Sequence, residues 1–108
     1  METNELYEWV IKRDDEPDLK FEGYLVASAT SKTNTRQIGR WTELRLYQTA
    51  KGKYVCEELG MTQWEGEQTR RRVVVVELVE DVIDFFGYGW LAKDLLVRAD
   101  MLIPEEIE

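Results

Sequence analysis

Apolar and polar side chains alternate every second residue along most of this chain, and from Glu77 onward they recur every three or four. The first rhythm puts successive side chains on opposite faces of a strand; the second gathers them on one face of a helix. Tyr7, Trp9 and Ile11 alternate with Glu8, Val10 and Lys12, and the run stops at Asp14-Asp15-Glu16-Pro17-Asp18, a turn cluster that no strand tolerates. This predicts a first strand. Leu6, Trp9, Val10 and Arg13 also fit helical spacing, so a helix over 5–13 is the competing reading. Beyond Pro17, Phe21, Gly23, Leu25 and Ala27 face one way and Glu22, Tyr24 and Val26 the other, giving a longer strand that pairs with the first. Residues 5 to 30 thus read as one hairpin.

The polar stretch from Ser31 to Gly39 has the composition of a surface loop and is expected to be the most mobile segment. Trp41 opens a second alternating run, with Leu44 and Leu46 opposed to Glu43, Arg45 and Tyr47. Lys51-Gly52 supplies a hairpin turn, and Tyr54 to Leu59 returns. Residues 60–69, with two glycines and Trp64, read mainly as connection. Arg70 to Val76 sets three arginines before four valines, and such a β-branched run predicts a central strand covered on both faces.

From Glu77 the pattern predicts helices. Val79, Val82, Ile83 and Phe86 form an apolar face with Glu80, Asp81 and Asp84 opposite, and Gly87 stands where a left-handed C-cap belongs. Trp90, Leu91, Leu95, Leu96 and Ala99 build a second helix ending before Pro104, after which Glu105 to Glu108 fray. Trp9 and Trp90, lying in periodic elements, are assigned to the core. The expected fold is α+β: one domain over 1–108, with a mostly antiparallel sheet of two hairpins plus a Val-rich strand, and two C-terminal helices packed on one face. No helices separate the strands, which disfavours a doubly wound nucleotide fold.

Composition narrows the chemistry. With 44% hydrophobic and 33% charged residues the chain is expected to fold alone. No apolar run is long enough to span a bilayer, and the acidic start is unlike a signal peptide, so no membrane partner and a cytoplasmic location are expected. Cys56 is the only cysteine, excluding an internal disulfide, and reads as a small buried hydrophobe. Histidine is absent, which removes Ser-His-Asp, Cys-His and histidine-metal schemes.

Carboxylates are the remaining catalytic candidates. Pro17 interrupts the Asp14 to Asp18 cluster, which lacks the spacing of a calcium loop, and reads as a solvated turn. Glu65 and Glu67 flank Gly66 beside Trp64, too little for a two-carboxylate glycosidase site. Gly87-Tyr88-Gly89 reads as a turn between helices, because nearby acids discourage an anion there. Lys51-Gly52-Lys53-Tyr54 departs from the RNA-recognition strand pattern, its aromatic being one place late. No enzyme, cofactor or metal is therefore expected.

The net charge of −8 is unevenly spread. Residues 1–31 carry three basic and eight acidic side chains, residues 32–72 nine and five, and residues 73–108 two and nine. Two roles follow as expectations. In the first, the protein is a non-enzymatic interaction module, an acidic adaptor or inhibitor of phage or plasmid type, presenting Trp41, Trp64, Glu80, Asp81 and Asp84 to a basic protein. In the second, it is a nucleic-acid-associated regulator using Arg36, Arg40, Lys51, Lys53, Arg70, Arg71 and Arg72, with Trp41, Tyr47 and Trp64 available for stacking. The first weighs more, since a net acidic molecule repels a polyanion at long range. A homodimer through an exposed strand edge is compatible with either.

Overall fold

A computed structural model describes residues 5–32, 39–102 and 106–107. Five strands, β1 (Tyr7–Ile11), β2 (Leu19–Thr30), β3 (Arg40–Thr49), β4 (Tyr54–Thr62) and β5 (Arg70–Val76), precede two helices, α1 (Val79–Phe86) and α2 (Trp90–Arg98). The strands form one antiparallel sheet in chain order, each paired with the next. The α+β architecture, the two hairpins and the terminal helix pair agree with the sequence pattern. Residues 5–13 contain a strand rather than a helix, because Trp9 and Ile11 turn inward together while Glu8 and Val10 stay exposed. The loop expected to be most mobile falls largely on residues 33–38, and the fraying expected at the C-terminus on Glu105 and Glu108, all outside the described residues.

Three expectations need correction. The Val-rich strand β5 is an edge strand, not a central one: it is last in the meander and pairs with β4 alone. Its valines are valuable on two faces for another reason. Val74 and Val76 stand opposite Cys56 and Tyr54, on the helix side, and Val76 packs into the core there. Val73 packs on the other side among Trp9, Leu19, Phe21, Ile11, Tyr47 and Val55.

The second correction concerns β2. Leu25 is paired with Tyr47 but Ala27 with Leu46, so Val26 is the extra residue of a β-bulge. The bulge reverses the facing of the rest of the strand. Phe21, Gly23 and Leu25 therefore do not share a face with Ala27, which joins Ala29 beneath the helices. The third correction is Trp90, which is 71% exposed at the start of α2 rather than in the core. The stretch read as connection over 60–69 also begins as strand, since β4 continues to Thr62.

The two faces of the sheet bury different cores. On one, Leu44, Leu46 and Cys56 with Ala27 and Ala29 meet Val82, Leu91, Ala92, Leu95 and Leu96 of the helices. The alanines of β2 are small where α2 crosses, which lets the helix lie close to the strand. On the other face there is no helix among the described residues, yet Ile11, Tyr47 and Val55 are buried, because residues from β1 and β5, the two ends of the sheet, pack together over its middle. The sheet is therefore curled, and this inner face is concave. The curl is fastened by Asp14 in the β1–β2 turn: its carboxylate accepts the Arg71 backbone N–H at 2.9 Å, and the Arg71 guanidinium lies 3.3 Å from its other oxygen. An edge donor of β5 is thereby satisfied by a side chain from the opposite edge.

Gly23 marks the tightest approach of β2 to β3. A Cβ built there would stand 2.2 Å from the Gln48 carbonyl oxygen, and the Gly23 carbonyl accepts the Trp9 indole N–H at 3.0 Å. Gly23→Ala is expected to destabilise the fold by about 1–3 kcal/mol in urea unfolding, since the obstacle is backbone and cannot rotate away. Gly52→Ala, in open space at φ +90°, is expected to cost only the backbone strain, about 1 kcal/mol. Cys56 is fully buried and burial pushes its thiol up to about 12. It is expected to react with a thiol reagent such as Ellman's only at the rate of global unfolding; rapid reaction in the native state would contradict this placement.

Candidate functional site

Two surfaces concentrate chemistry, one on each side of the sheet. The first is the outer surface of the helical layer. In α1, Val82 is buried against the sheet, which turns Glu80, Asp81 and Asp84 outward within an arc of about 100°. Gly87, at φ 79°, ends the helix by donating its N–H to the Ile83 carbonyl, and Gly89 starts α2 two residues later. So tight a connection leaves Tyr88 and Trp90 no room beneath the layer. They are 63% and 71% exposed. Along α2, Leu91, Ala92, Leu95 and Leu96 occupy the inward stripe, leaving Val97 on the outward side almost directly in line with Trp90. A ring-bearing apolar strip thus lies close in the chain to an exposed carboxylate face.

The second surface is the concave side of the sheet. Glu43, Arg45 and Tyr47 of β3 share this face with Leu59, Glu57 and Val55 of β4, to which they are respectively paired. Glu57 is 4% exposed, the one charged residue among the described residues to be so buried. Its Oε1 accepts the Tyr47 hydroxyl at 3.3 Å and lies 3.7 Å from Arg45 Nη1, while Arg45 Nη2 donates to Glu43 at 3.0 Å. Burial raises the Glu57 carboxyl above its ordinary range despite Arg45 and Arg71 nearby. Burial also pushes the Tyr47 hydroxyl up to about 12, so it serves as a hydrogen-bond donor at neutral pH. Beside this cluster is a hollow of about 380 Å³ whose walls include Trp9, Ile11, Leu59 and Met61.

The two faces separate the residues that the sequence proposed as one site. Trp41 belongs to the concave face with Glu43 and Arg45, on the far side of the sheet from α1. Its ring is covered by the Lys32 ammonium at 4.3 Å and its N–H points to Glu43 at 3.4 Å, so it is engaged within the chain. Trp64 is 56% exposed and rests on Gly39, whose absent side chain makes room for the indole. Trp41 and Trp64 lie at one end of the β3–β4 hairpin; Glu80, Asp81 and Asp84 are elsewhere, on the helical layer.

The basic residues are also dispersed. Arg40 is hydrogen-bonded and ion-paired to Glu67, which Thr62 also contacts. That partnership holds the Glu67 carboxyl below its ordinary value. Arg71 engages Asp14, and Arg72 engages Glu58, the Phe85 carbonyl and the Phe85 ring. Lys51 and Lys53 stand in the β3–β4 turn at the other end of the hairpin from Arg40 and Arg70. Arg36 lies outside the described residues. Among the described residues no cluster of three or more metal-ligating side chains occurs, and no helix is long and apolar enough to cross a membrane.

Tyr88, Trp90 and the Glu57 cluster escaped the sequence reading. Trp90 was masked by its own periodicity, although it follows a Gly-Tyr-Gly turn too short to bury it. Glu57 left a clearer signal: it shares the strand phase of Val55 and Leu59, where a carboxylate must either face solvent or find partners. Compared with protein-family models, with curated proteins and with solved structures, the chain finds no match.

The raised Glu57 carboxyl has a definite pH signature. A carboxyl whose folded pKa exceeds its unfolded value adds stability below the unfolded pKa, and that contribution is lost as pH rises through the folded pKa. Glu57→Gln abolishes this dependence while keeping the shape and an acceptor for Tyr47. The stability of the variant minus that of the wild type is expected to increase from pH 4 to pH 8 in paired urea titrations; a difference that falls with pH would show that Arg45 and Arg71 outweigh burial.

Proposed function

We propose that the protein is a non-enzymatic interaction module, an adaptor or inhibitor, that holds a basic protein partner against its helical layer. The observation that carries this reading is the exposure of Trp90, 71%, beside Tyr88 at 63%, next to a helix whose outer face is Glu80, Asp81 and Asp84. An indole left in water on a chain of this size is stabilised by removal to an apolar pocket, and tryptophan, tyrosine and arginine dominate interface hot spots. The surrounding carboxylates select an approaching surface rich in lysine and arginine, speeding encounter and fixing its orientation. Val97 extends the apolar strip along α2.

The nucleic-acid reading has less support. Arg71 turns to the concave face, Arg72 lies over Phe85 on the helix side and Arg40 is held by Glu67 at the start of β3, so the three present no single stripe to a phosphate backbone. Among the described residues, Lys51 and Lys53 stand at the opposite end of the β3–β4 hairpin from Arg70 rather than in one stripe with it.

Replacement of Trp90 by the photo-crosslinker p-benzoylphenylalanine is expected to trap a basic protein in cells producing the variant, whereas the same replacement at Lys20, on the far hairpin, is not. The adduct is expected to be lost in a Glu80→Lys, Asp81→Lys, Asp84→Lys background. Reversing the first-turn acids weakens α1 by about 0.3–1 kcal/mol each, so retention of the fold is checked by circular dichroism. An adduct undiminished by charge reversal, or none at position 90, would refute the proposal.

A further inference from the structure

We infer that the concave face of the sheet is a binding site for a small amphipathic anion, an aryl or short-chain alkyl carboxylate or sulfonate. The site lies on the opposite side of the sheet from the helical layer and does not depend on the role proposed for that layer.

Shape and charge both lead here. The hollow is an open groove of about 380 Å³, at the small end of the range of sites that take small organic ligands. Its apolar walls come from Trp9 and Ile11 of the edge strand β1 and from Leu59 and Met61 of the interior strand β4. The Trp9 ring is held at 4.9 Å from the Tyr47 ring in an edge-on arrangement, so this wall is fixed before a ligand arrives. Such walls accept a ring or a short alkyl chain.

The polar part of the lining has the opposite sign to the protein. In a chain of net charge −8, three cations, Lys12, Arg45 and Arg71, line the hollow against one carboxylate, Glu57. The acids that pair with the two arginines, Glu43 and Asp14, are not part of its wall. A negative headgroup placed there meets two guanidinium groups that the fold has already positioned, Arg45 by Glu43 and Arg71 by Asp14. An amine would meet the same groups with repulsion.

Glu57 gives the site its distinguishing behaviour. Tyr47 donates to its Oε1, no described hydrogen bond uses Oε2, and Glu57 is part of the lining of the hollow. Facing Glu57 are Glu43, Arg45 and Tyr47 from β3 and Arg71 from β5, and Lys12, just beyond the end of β1, lines the same hollow. An incoming carboxylate repels the Glu57 carboxylate, so binding is accompanied by uptake of one proton from solvent at Glu57, which then donates a hydrogen bond to the ligand. No other bond is made or broken.

The test uses the full chain with 8-anilinonaphthalene-1-sulfonate, a fluorescent amphipathic anion, followed by displacement with octanoate, octylamine and inorganic phosphate. The wild type is expected to bind the dye at a single saturable site from which octanoate displaces it while octylamine and phosphate do not. Glu57→Gln is expected to tighten binding about tenfold at pH 8. Lys12→Glu and Arg71→Gln are expected to weaken it about tenfold, and Lys20→Glu, the same charge change on the far side of the first hairpin, to leave it unchanged. Because the dye also binds loosened states, each variant is first shown by urea unfolding to retain a cooperative fold, and Lys12 is an exposed residue whose replacement does not threaten it. Absence of saturable binding, displacement by octylamine as readily as by octanoate, or weakening by Glu57→Gln would each overturn the inference.

Discussion

The architecture answers one constraint: a five-stranded sheet with apolar residues on both faces has, among the described residues, two short helices with which to cover them. Eight residues in α1 and nine in α2 cover one face. The other face must cover itself, and it does so by curling until β1 and β5 contribute to one cluster. The bulge at Val26, the bare backbone at Gly23 and the clasp between Asp14 and Arg71 are devices of that curl. A bulge adds local twist, a glycine permits strand backbones to approach, and an edge carboxylate occupies a donor that would otherwise invite another strand.

Self-coverage by curling fills imperfectly, and the polar cluster sits where it does for that reason. Towards Trp9, Phe21 and Tyr47 the curl is closed by rings at 4.9 and 5.6 Å from Tyr47. Towards Arg45, Glu57 and Arg71 a hollow remains beside Trp9 and Ile11, and its polar lining is made of charged groups that pair with one another and with Glu43 and Asp14. A buried carboxylate between two guanidinium groups contributes little net stability against an apolar replacement. Its presence is better understood as chemistry retained at an opening than as support for the fold.

Much of the architecture was legible because local pattern and tertiary structure agree: alternation in β1, β3 and β4, the helical spacing in α1, and the glycine that ends it. The strand-to-helix change after Val76 is where the element boundary lies. What was not legible depended on relations between distant segments. Four valines look the same whether coverage comes from neighbouring strands or, as in β5, from a helix on one side and a curled-over strand on the other. The bulge at Val26 leaves no mark in a sequence where Leu25, Val26 and Ala27 are all apolar. For the candidate sites, residue type was readable but side was not: Trp41 and the acids of α1 lie on opposite faces, and Trp90 was assigned inward by a periodicity that its neighbouring turn overrides.

The sequential order of the strands carries a kinetic consequence. Each strand finds its partner in the next segment of chain, so loops closed during sheet formation are short and the entropy lost at each step is small. The closure of β1 on β5, seen in the Val73 cluster and in the contact between Asp14 and Arg71, 57 residues apart, is the exception. Closing so long a loop is favourable only after β2, β3 and β4 are in place to bring the two edges near each other. Assembly therefore resembles a zipper whose two ends are buttoned together last, and β1, attached to the sheet through β2 alone, is the strand that can leave while the helix-covered core stays folded.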